Sequence, residues 1–283
     1  MTLRELKIEF QNTLKDVYPS EEVQSFFSIL SEEYLGLTRI DIVLKADTLV
    51  SEEKTNRFLD AIEQLKKHRP IQYIIGNTEF YGLPFKVSEH VLIPRPETEE
   101  LVDWIVNDIQ KQDQIKILDI GTGSGCIGIS LAHNLKKASI SVLDVSEEAI
   151  SVARENATQN NVSVKFLQED ILECQQLPEK YDVIVSNPPY VRISEKTEMK
   201  NNVLKHEPDL ALFVENNDPL LFYEKIASLA QEYLKVGGSL YFEINEYLGN
   251  DMNQLLELKG FKGVILKKDM FGKERMIKCR KDG

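Results

Sequence analysis

The sequence predicts an α/β protein: a doubly wound sheet of seven strands, six parallel and one antiparallel, behind a small N-terminal helical bundle. Three observations lead there. From about residue 95, short β-branched runs alternate with stretches of helical periodicity, the pattern of a parallel sheet with crossover helices. The first run turns through Gly121-Thr122-Gly123-Ser124-Gly125-Cys126-Ile127-Gly128 into a helical segment. The last two runs are separated only by Asp269-Met270-Phe271-Gly272-Lys273, too short for a helical crossover, so they should pair antiparallel.

Taken in order, residues 1–75 read as helices. Thr2 and Glu5 form a capping box ahead of Leu3, Leu6, Ile8, Phe10 and Leu14. Pro19-Ser20-Glu21-Glu22 opens a second helix bearing Val23, Phe26, Phe27 and Leu30. Ser51-Glu52-Glu53 opens a third with Phe58, Leu59, Ile62 and Leu65, which ends near Pro70. Residues 76–93, with Gly76, Gly82 and apolar runs at Phe80-Tyr81 and Phe85-Lys86-Val87, read as a β-hairpin linker. The sheet domain then occupies 94–283, with strands expected at 115–120, 140–145, 162–167, 181–186, 239–244, 264–267 and 276–279. Helices fill the gaps between the first five.

Composition narrows the function classes. Of 283 residues, 42% are hydrophobic and 28% charged, as in an ordinary soluble protein. No apolar run approaches the ~20 residues of a membrane span, and the first residues lack the apolar stretch of a signal peptide. Cys126, Cys174 and Cys279 are odd in number and far apart, which points to reduced thiols and a cytoplasmic setting. The four histidines are equally scattered, so no metal site is legible. The net charge of −12 is uneven. Residues 76–258 carry 15 basic and 30 acidic side chains, a poor footprint for tight binding to duplex DNA. Residues 259–283, with 9 basic and 3 acidic, read as solvated lysines on edge strands.

The glycine-rich turn is a nucleotide loop. Glycines at Gly121, Gly123 and Gly125 let a ligand approach the backbone, and the helix start offers unpaired N–H groups, with Thr122 and Ser124 beside them. Asp144, ending the second strand, is placed to accept hydrogen bonds from ribose hydroxyls. Loop and acid alone suit NAD and S-adenosyl-L-methionine equally. Asp119, two residues before Gly121, favours the second: a carboxylate there can face a cationic amino-acid moiety but repels a pyrophosphate. The structural alternative for Asp119 is a cap on the loop. Asp170, ending the third strand, can receive an adenine amino group with Ile171 on the ring, or else cap the following turn.

Asn187-Pro188-Pro189-Tyr190 follows the fourth strand, where two prolines force the chain out of the sheet. The Asn187 side-chain carbonyl and the Pro188 backbone carbonyl are two acceptors able to grip a planar NH₂ group, with Tyr190 packing on its plane. That suits chemistry on an amide or amino nitrogen.

With those residues stands a wider set: Pro70-Ile71-Gln72-Tyr73-Ile74-Ile75-Gly76, Phe80-Tyr81-Gly82, Val91-Leu92-Ile93-Pro94-Arg95-Pro96-Glu97-Thr98-Glu99, Glu207-Pro208 and Asp269-x-x-Gly272-x-x-Arg275. Over nearly its whole length the chain resembles class I methyltransferases of the HemK type, which methylate the glutamine of the Gly-Gly-Gln motif in peptide-chain release factors. The resemblance implies S-adenosyl-L-methionine as cofactor, held by Asp119, the loop from Gly121 to Gly125, Asp144, Asp170, Ile171 and Asn187. It implies Asn187, Pro188, Pro189 and Tyr190 as the substrate clamp, with Asn187, Pro188 and Tyr190 catalytic. It implies release factors as partners and the helical region as substrate recognition. A cytoplasmic monomer with no membrane partner and no tight nucleic-acid partner is expected. Asn-Pro-Pro-Tyr is shared with adenine methyltransferases, so an adenine amino group and a ribosomal-protein glutamine remain rival substrates. Two departures, Ile171 in place of an aromatic residue and Ile244-Asn245-Glu246-Tyr247 after Glu243, are expected at the walls of the site.

Overall fold

The computed structural model describes residues 1–110, 112–198, 201–214 and 218–283. Two compact units divide the chain after Gly76, and α9 (Asn201–His206) groups with the first of them.

The first unit holds α1 (Leu3–Leu14), α2 (Ser20–Leu35), α3 (Arg39–Leu44), α4 (Glu52–Lys66) and α5 (Ile71–Ile75). The Thr2–Glu5 capping box forms, and Ser51 accepts from the Lys54 N–H at the start of α4. Leu3, Leu6, Phe10 and Leu14 meet Phe27, Leu30, Phe58 and Leu65 in one core, with Phe10 and Phe58 each 5.5 Å from the Phe27 ring. Two residues read as core are exposed: Ile8 and Leu59 lie off the buried stripe, two positions after Leu6 and one after Phe58. Helices α3 and α5 escaped the sequence because six and five residues are too few to show a period.

The second unit starts with the hairpin β1 (Asn77–Phe80) and β2 (Leu83–Lys86), then α6 (Pro96–Ile109), β3 (Lys116–Ile120), α7 (Cys126–Asn134), β4 (Ser139–Asp144), α8 (Glu147–Gln159), β5 (Lys165–Gln168) and β6 (Tyr181–Ser186). The short β7 (Val191–Arg192) and β8 (Phe213–Val214) pair in parallel, with α10 (Asp209–Leu212) before β8. Helix α11 (Leu221–Tyr233), β9 (Leu234–Glu243), α12 (Gly249–Leu258), β10 (Lys262–Lys268) and β11 (Glu274–Arg280) complete it.

The large sheet has the order β10-β11-β9-β6-β3-β4-β5. Strands β9, β6, β3, β4 and β5 pair in parallel, and β11 runs antiparallel between β9 and β10. This is the predicted arrangement of six parallel strands and one antiparallel. Alternation along β6 shows why its run is continuously apolar: Ile184 packs with α11 and α12 on one face, Val183 and Val185 with α6 and α7 on the other. Two strand starts shift by three residues or more. Strand β5 begins at Lys165, because Asn161 at φ +53° and the Val162 N–H on the Ala157 carbonyl still close helix α8. Strand β9 begins at Leu234, five residues before Ser239, through a register shift opposite Tyr181 and Val183.

Parallel pairing brings the carboxyl ends of β3, β4, β6 and β9 to one edge. Ligands of doubly wound sheets bind at that edge. The glycine loop, Asp144, Asn187 and Glu243 all stand there.

Candidate active site

The loop after β3 is folded by its own backbone. Gly121, Gly123 and Gly125 have φ of +72°, +54° and +83°, values that L side chains adopt poorly. The N–H groups of Gly121 and Thr122 donate to the Leu143 carbonyl at the end of β4, at 2.8 and 3.0 Å. A Cβ built at Gly121 or Gly123 meets nothing within 4 Å, and both residues line a cavity of about 300 Å³, so the loop presents bare backbone to that space. At Gly128 the reason is packing, since a Cβ there would stand 2.4 Å from Val142.

Asp119 is fully buried beneath the loop: its Oδ2 accepts from the Thr122 hydroxyl at 2.5 Å and the Gly128 N–H at 3.0 Å, while its Oδ1 has no hydrogen-bond partner among the described residues. Its geometry is that of a loop-holding residue. Burial pushes its carboxyl up to about 6, against the pull of those two hydrogen bonds. Asp144, by contrast, lines the cavity, with Oδ2 accepting from Gly123 N–H at 2.8 Å and Oδ1 from Ser146 N–H at 3.0 Å. Burial raises its pKa above the ordinary aspartate value. Asp170 and Ile171 line the same cavity, and Asp170 also caps its turn through the Leu172 N–H at 2.9 Å. Both roles considered for Asp170 are therefore open to it. Cys126 lines the cavity too, but burial pushes its thiol up to about 12, so it is no thiolate nucleophile.

Strand β6 ends at Ser186, whose hydroxyl donates to the Ile120 carbonyl at 2.7 Å and locks the exit of the chain. Asn187, Pro188 and Pro189 line the cavity beside Thr122 and Gly123. Tyr190 is half-buried: its ring packs against the core cluster that includes α11, and its hydroxyl donates to Glu243 Oε1 at 3.1 Å. Burial and that carboxylate push its ionisation up. That hydrogen bond anchors the far end of the tetrapeptide. The residues after Glu243 are off the cavity wall. Asn245 stands behind the tetrapeptide, its Nδ2 donating to the Tyr190 carbonyl at 3.4 Å.

The stretch 94–99 is where the sequence reading saw a motif without seeing its parts. Pro96 starts α6, so Arg95, Thr98 and Glu99 share one side of its first turn. Arg95 lines the cavity and donates to Glu207 at 2.7 Å, a carboxylate only 1% exposed. Thr98 donates to Glu243 Oε2 at 2.6 Å and faces Asn187 Nδ2 at 3.5 Å. Glu99 accepts from the Tyr81 N–H at 2.9 Å, tying the hairpin to the site. Thr98, Glu207 and Glu243 are buried polar residues; the sequence showed the first two only as members of the resemblance motifs and the third only as an acid at a strand end.

The sheet order, the glycine loop after β3 and the acid ending β4 form a nucleotide-binding site, and the family matches make it that of a methyltransferase that uses S-adenosyl-L-methionine. Residues 101–210 match the family described as Methyltransferase small domain, and residues 5–76 match the PrmC N-terminal domain. The fold recurs in the crystal structure of a methyltransferase from Pyrococcus furiosus, at a TM-score of 0.54 and 19% identity over 82% of this chain and 100% of that one. It recurs in the hMettl16 catalytic domain, at 0.57 and 18% over 82% of each. At such identities the likeness is one of fold. The release factor glutamine methyltransferase of Flavobacterium psychrophilum is 49% identical over 98% of this chain and 99% of its own length. That of Bacteroides thetaiotaomicron is 46% identical over 94% and 96%. The chain belongs to the release factor glutamine methyltransferase family.

Proposed function

We propose that this chain methylates the side-chain amide nitrogen of the glutamine in the Gly-Gly-Gln motif of release factors, and that Asn187 and Pro188 hold that amide. The observation that carries the reading is the meeting of the bare-backbone loop, Asp144 and the Asn187-Pro188-Pro189 turn on one cavity. The cofactor fits those walls: the loop backbone has room for it, Asp144 suits the ribose, and Ile171 offers an apolar surface to adenine. Arg95, one of its nitrogens on Glu207, is the cation available to an α-carboxylate. When bound, S-adenosyl-L-methionine supplies an electrophilic methyl on a sulfonium.

An amide nitrogen is a poor nucleophile, because its lone pair is delocalised into the carbonyl. The Asn187 side-chain carbonyl and the Pro188 backbone carbonyl accept its two hydrogens, which fixes the amide plane and points the lone pair at the methyl. Such orientation is worth ~7–11 kcal/mol in well-ordered systems. As the nitrogen gains positive charge its N–H groups become stronger donors, so both acceptors stabilise the transition state more than the ground state. The proton then leaves to water. The enzyme acts as a cytoplasmic monomer without tight nucleic-acid binding, and the helical unit contributes recognition of the folded factor.

Incubating the protein with labelled S-adenosyl-L-methionine and a folded release factor, a ribosomal protein and duplex DNA, followed by mass spectrometry, tests the assignment. A single methyl on the Gly-Gly-Gln glutamine is expected. Efficient methylation of adenine, with release factors untouched, overturns it.

A further inference from the structure

We propose that Glu243 and Thr98 are positioning residues that set which way the Asn187 amide faces. The inference rests on the reading of Asn187 as acceptor of the substrate amide, and it deepens that reading. A hydroxyl has one proton to give, and the Thr98 proton is committed to Glu243 Oε2 at 2.6 Å, the short length of a charge-assisted bond. Thr98 therefore offers Asn187 only lone pairs. The Asn187 atom that faces it, at 3.5 Å, is the NH₂ nitrogen. A flipped amide would set two acceptor oxygens against each other. The carboxylate thus resolves the two-fold ambiguity of the asparagine from one residue away, and Oδ1 is left for the substrate.

The same carboxylate holds the other end of the tetrapeptide, since Oε1 accepts from the Tyr190 hydroxyl. Asn187 and Tyr190 are then pinned to one buried group, the first through Thr98 and the second directly. Packing alone gives no reason for an acid here. Glu243 is 1% exposed, and its neighbour Arg275 is paired with Asp269, so an apolar residue would end β9 at less cost. Donation by the Asn187 NH₂ into a chain ending in a carboxylate also polarises the Asn187 carbonyl and strengthens it as an acceptor.

The test is single-turnover methylation of a release factor at saturating cofactor, together with calorimetric titration of S-adenosyl-L-methionine. Thr98→Val keeps the shape and removes the relay. It should slow turnover roughly tenfold or more, the scale of a lost hydrogen bond to a charged network. Cofactor affinity should stay within about twofold, and Thr98→Ser should restore the rate. Glu243→Gln keeps an acceptor for the Thr98 hydroxyl and loses the charge, so its rate should fall between those of wild type and Thr98→Val. In an Asn187→Ala background, Thr98→Val should add little, since the two act as a unit. Wild-type turnover by Thr98→Val beside an impaired Asn187→Ala overturns the relay while leaving the clamp standing. Parallel loss of rate and cofactor affinity in Thr98→Val also overturns it, as a merely structural role. Near-normal turnover by Asn187→Ala instead overturns the clamp, and the relay with it. Should Glu243→Gln fail to fold, the Thr98 pair decides alone.

Discussion

At the scale of single residues, the site separates groups that touch ligand from groups that hold them. Asn187→Ala removes an acceptor from a preorganised site, a change that costs ~2.7–4 kcal/mol, or 10²–10³ in rate. Cofactor affinity should change far less, and near-normal single-turnover rates would assign the amide to another group. Asp144→Ala should weaken S-adenosyl-L-methionine binding about tenfold or more, because a hydrogen bond to a charged group is worth roughly 1.5–3 kcal/mol. Asp119 allows the sharpest contrast. With its carboxyl raised to about 6, the folded protein holds a proton there that the unfolded chain has already released. Its contribution to stability is therefore present at acid pH and lost as pH climbs from about 4 to about 6. Asp119→Asn keeps an acceptor for Thr122 and Gly128 while removing the charge. Urea unfolding should show that component of the pH dependence gone, and cofactor binding should survive. A large loss of cofactor affinity in this variant would return the charge to the ligand.

At the scale of elements, the hairpin and the nucleotide loop are joined by one side chain. Asn156 of α8 is fully buried, accepts from the Lys86 N–H at 2.6 Å, and donates to the Lys86 and Ser124 carbonyls at 3.0 and 2.9 Å. Asn156→Ala strands those groups, each at about 1–3 kcal/mol, and frees the loop at Ser124. Thermal unfolding should show the loss of stability, and cofactor titration a weaker affinity. An unchanged cofactor affinity would uncouple hairpin from loop. The tetrapeptide stands at the end of β6, as its prolines required, but the hydroxyl partner of Tyr190 was not legible in the sequence. That partner is Glu243, 53 residues away in the chain. No local pattern carries that.

At the scale of the molecule, the first unit offers a surface that its own core does not use. Ile40, Val43 and Leu44 of α3 are 72%, 72% and 78% exposed. If this unit recognises the folded release factor, replacing all three with serine should raise KM for the factor on the order of a hundredfold, since interface apolar anchors each contribute on the order of 1 kcal/mol or more. Cofactor affinity in the other unit should be unaltered. An unchanged KM would move recognition elsewhere. The sequence marked this region as helical from its Thr2–Glu5 capping box and 3.6-residue period, but it overran the buried stripe at Ile8 and Leu59, where only packing decides which flank is wet.

Periodicity, glycine placement and the short final connection determined the sheet, its one antiparallel strand and the position of the loop, because each is a local or near-local constraint on the backbone. The same strings placed Asp144, Asp170, Ile171 and Asn187 at strand ends, and parallel pairing alone then brings them to one edge. What tertiary structure decided was direction and partnership. It turned Asp119 under the loop, the Tyr190 hydroxyl onto Glu243, and Arg95 onto Glu207. It joined Thr98, Asn187 and Glu243, the last two separated from Thr98 by 89 and 145 residues. Side chains that far apart meet only when helix α6 and strands β6 and β9 have packed, so their hydrogen bonds are a property of the fold as a whole.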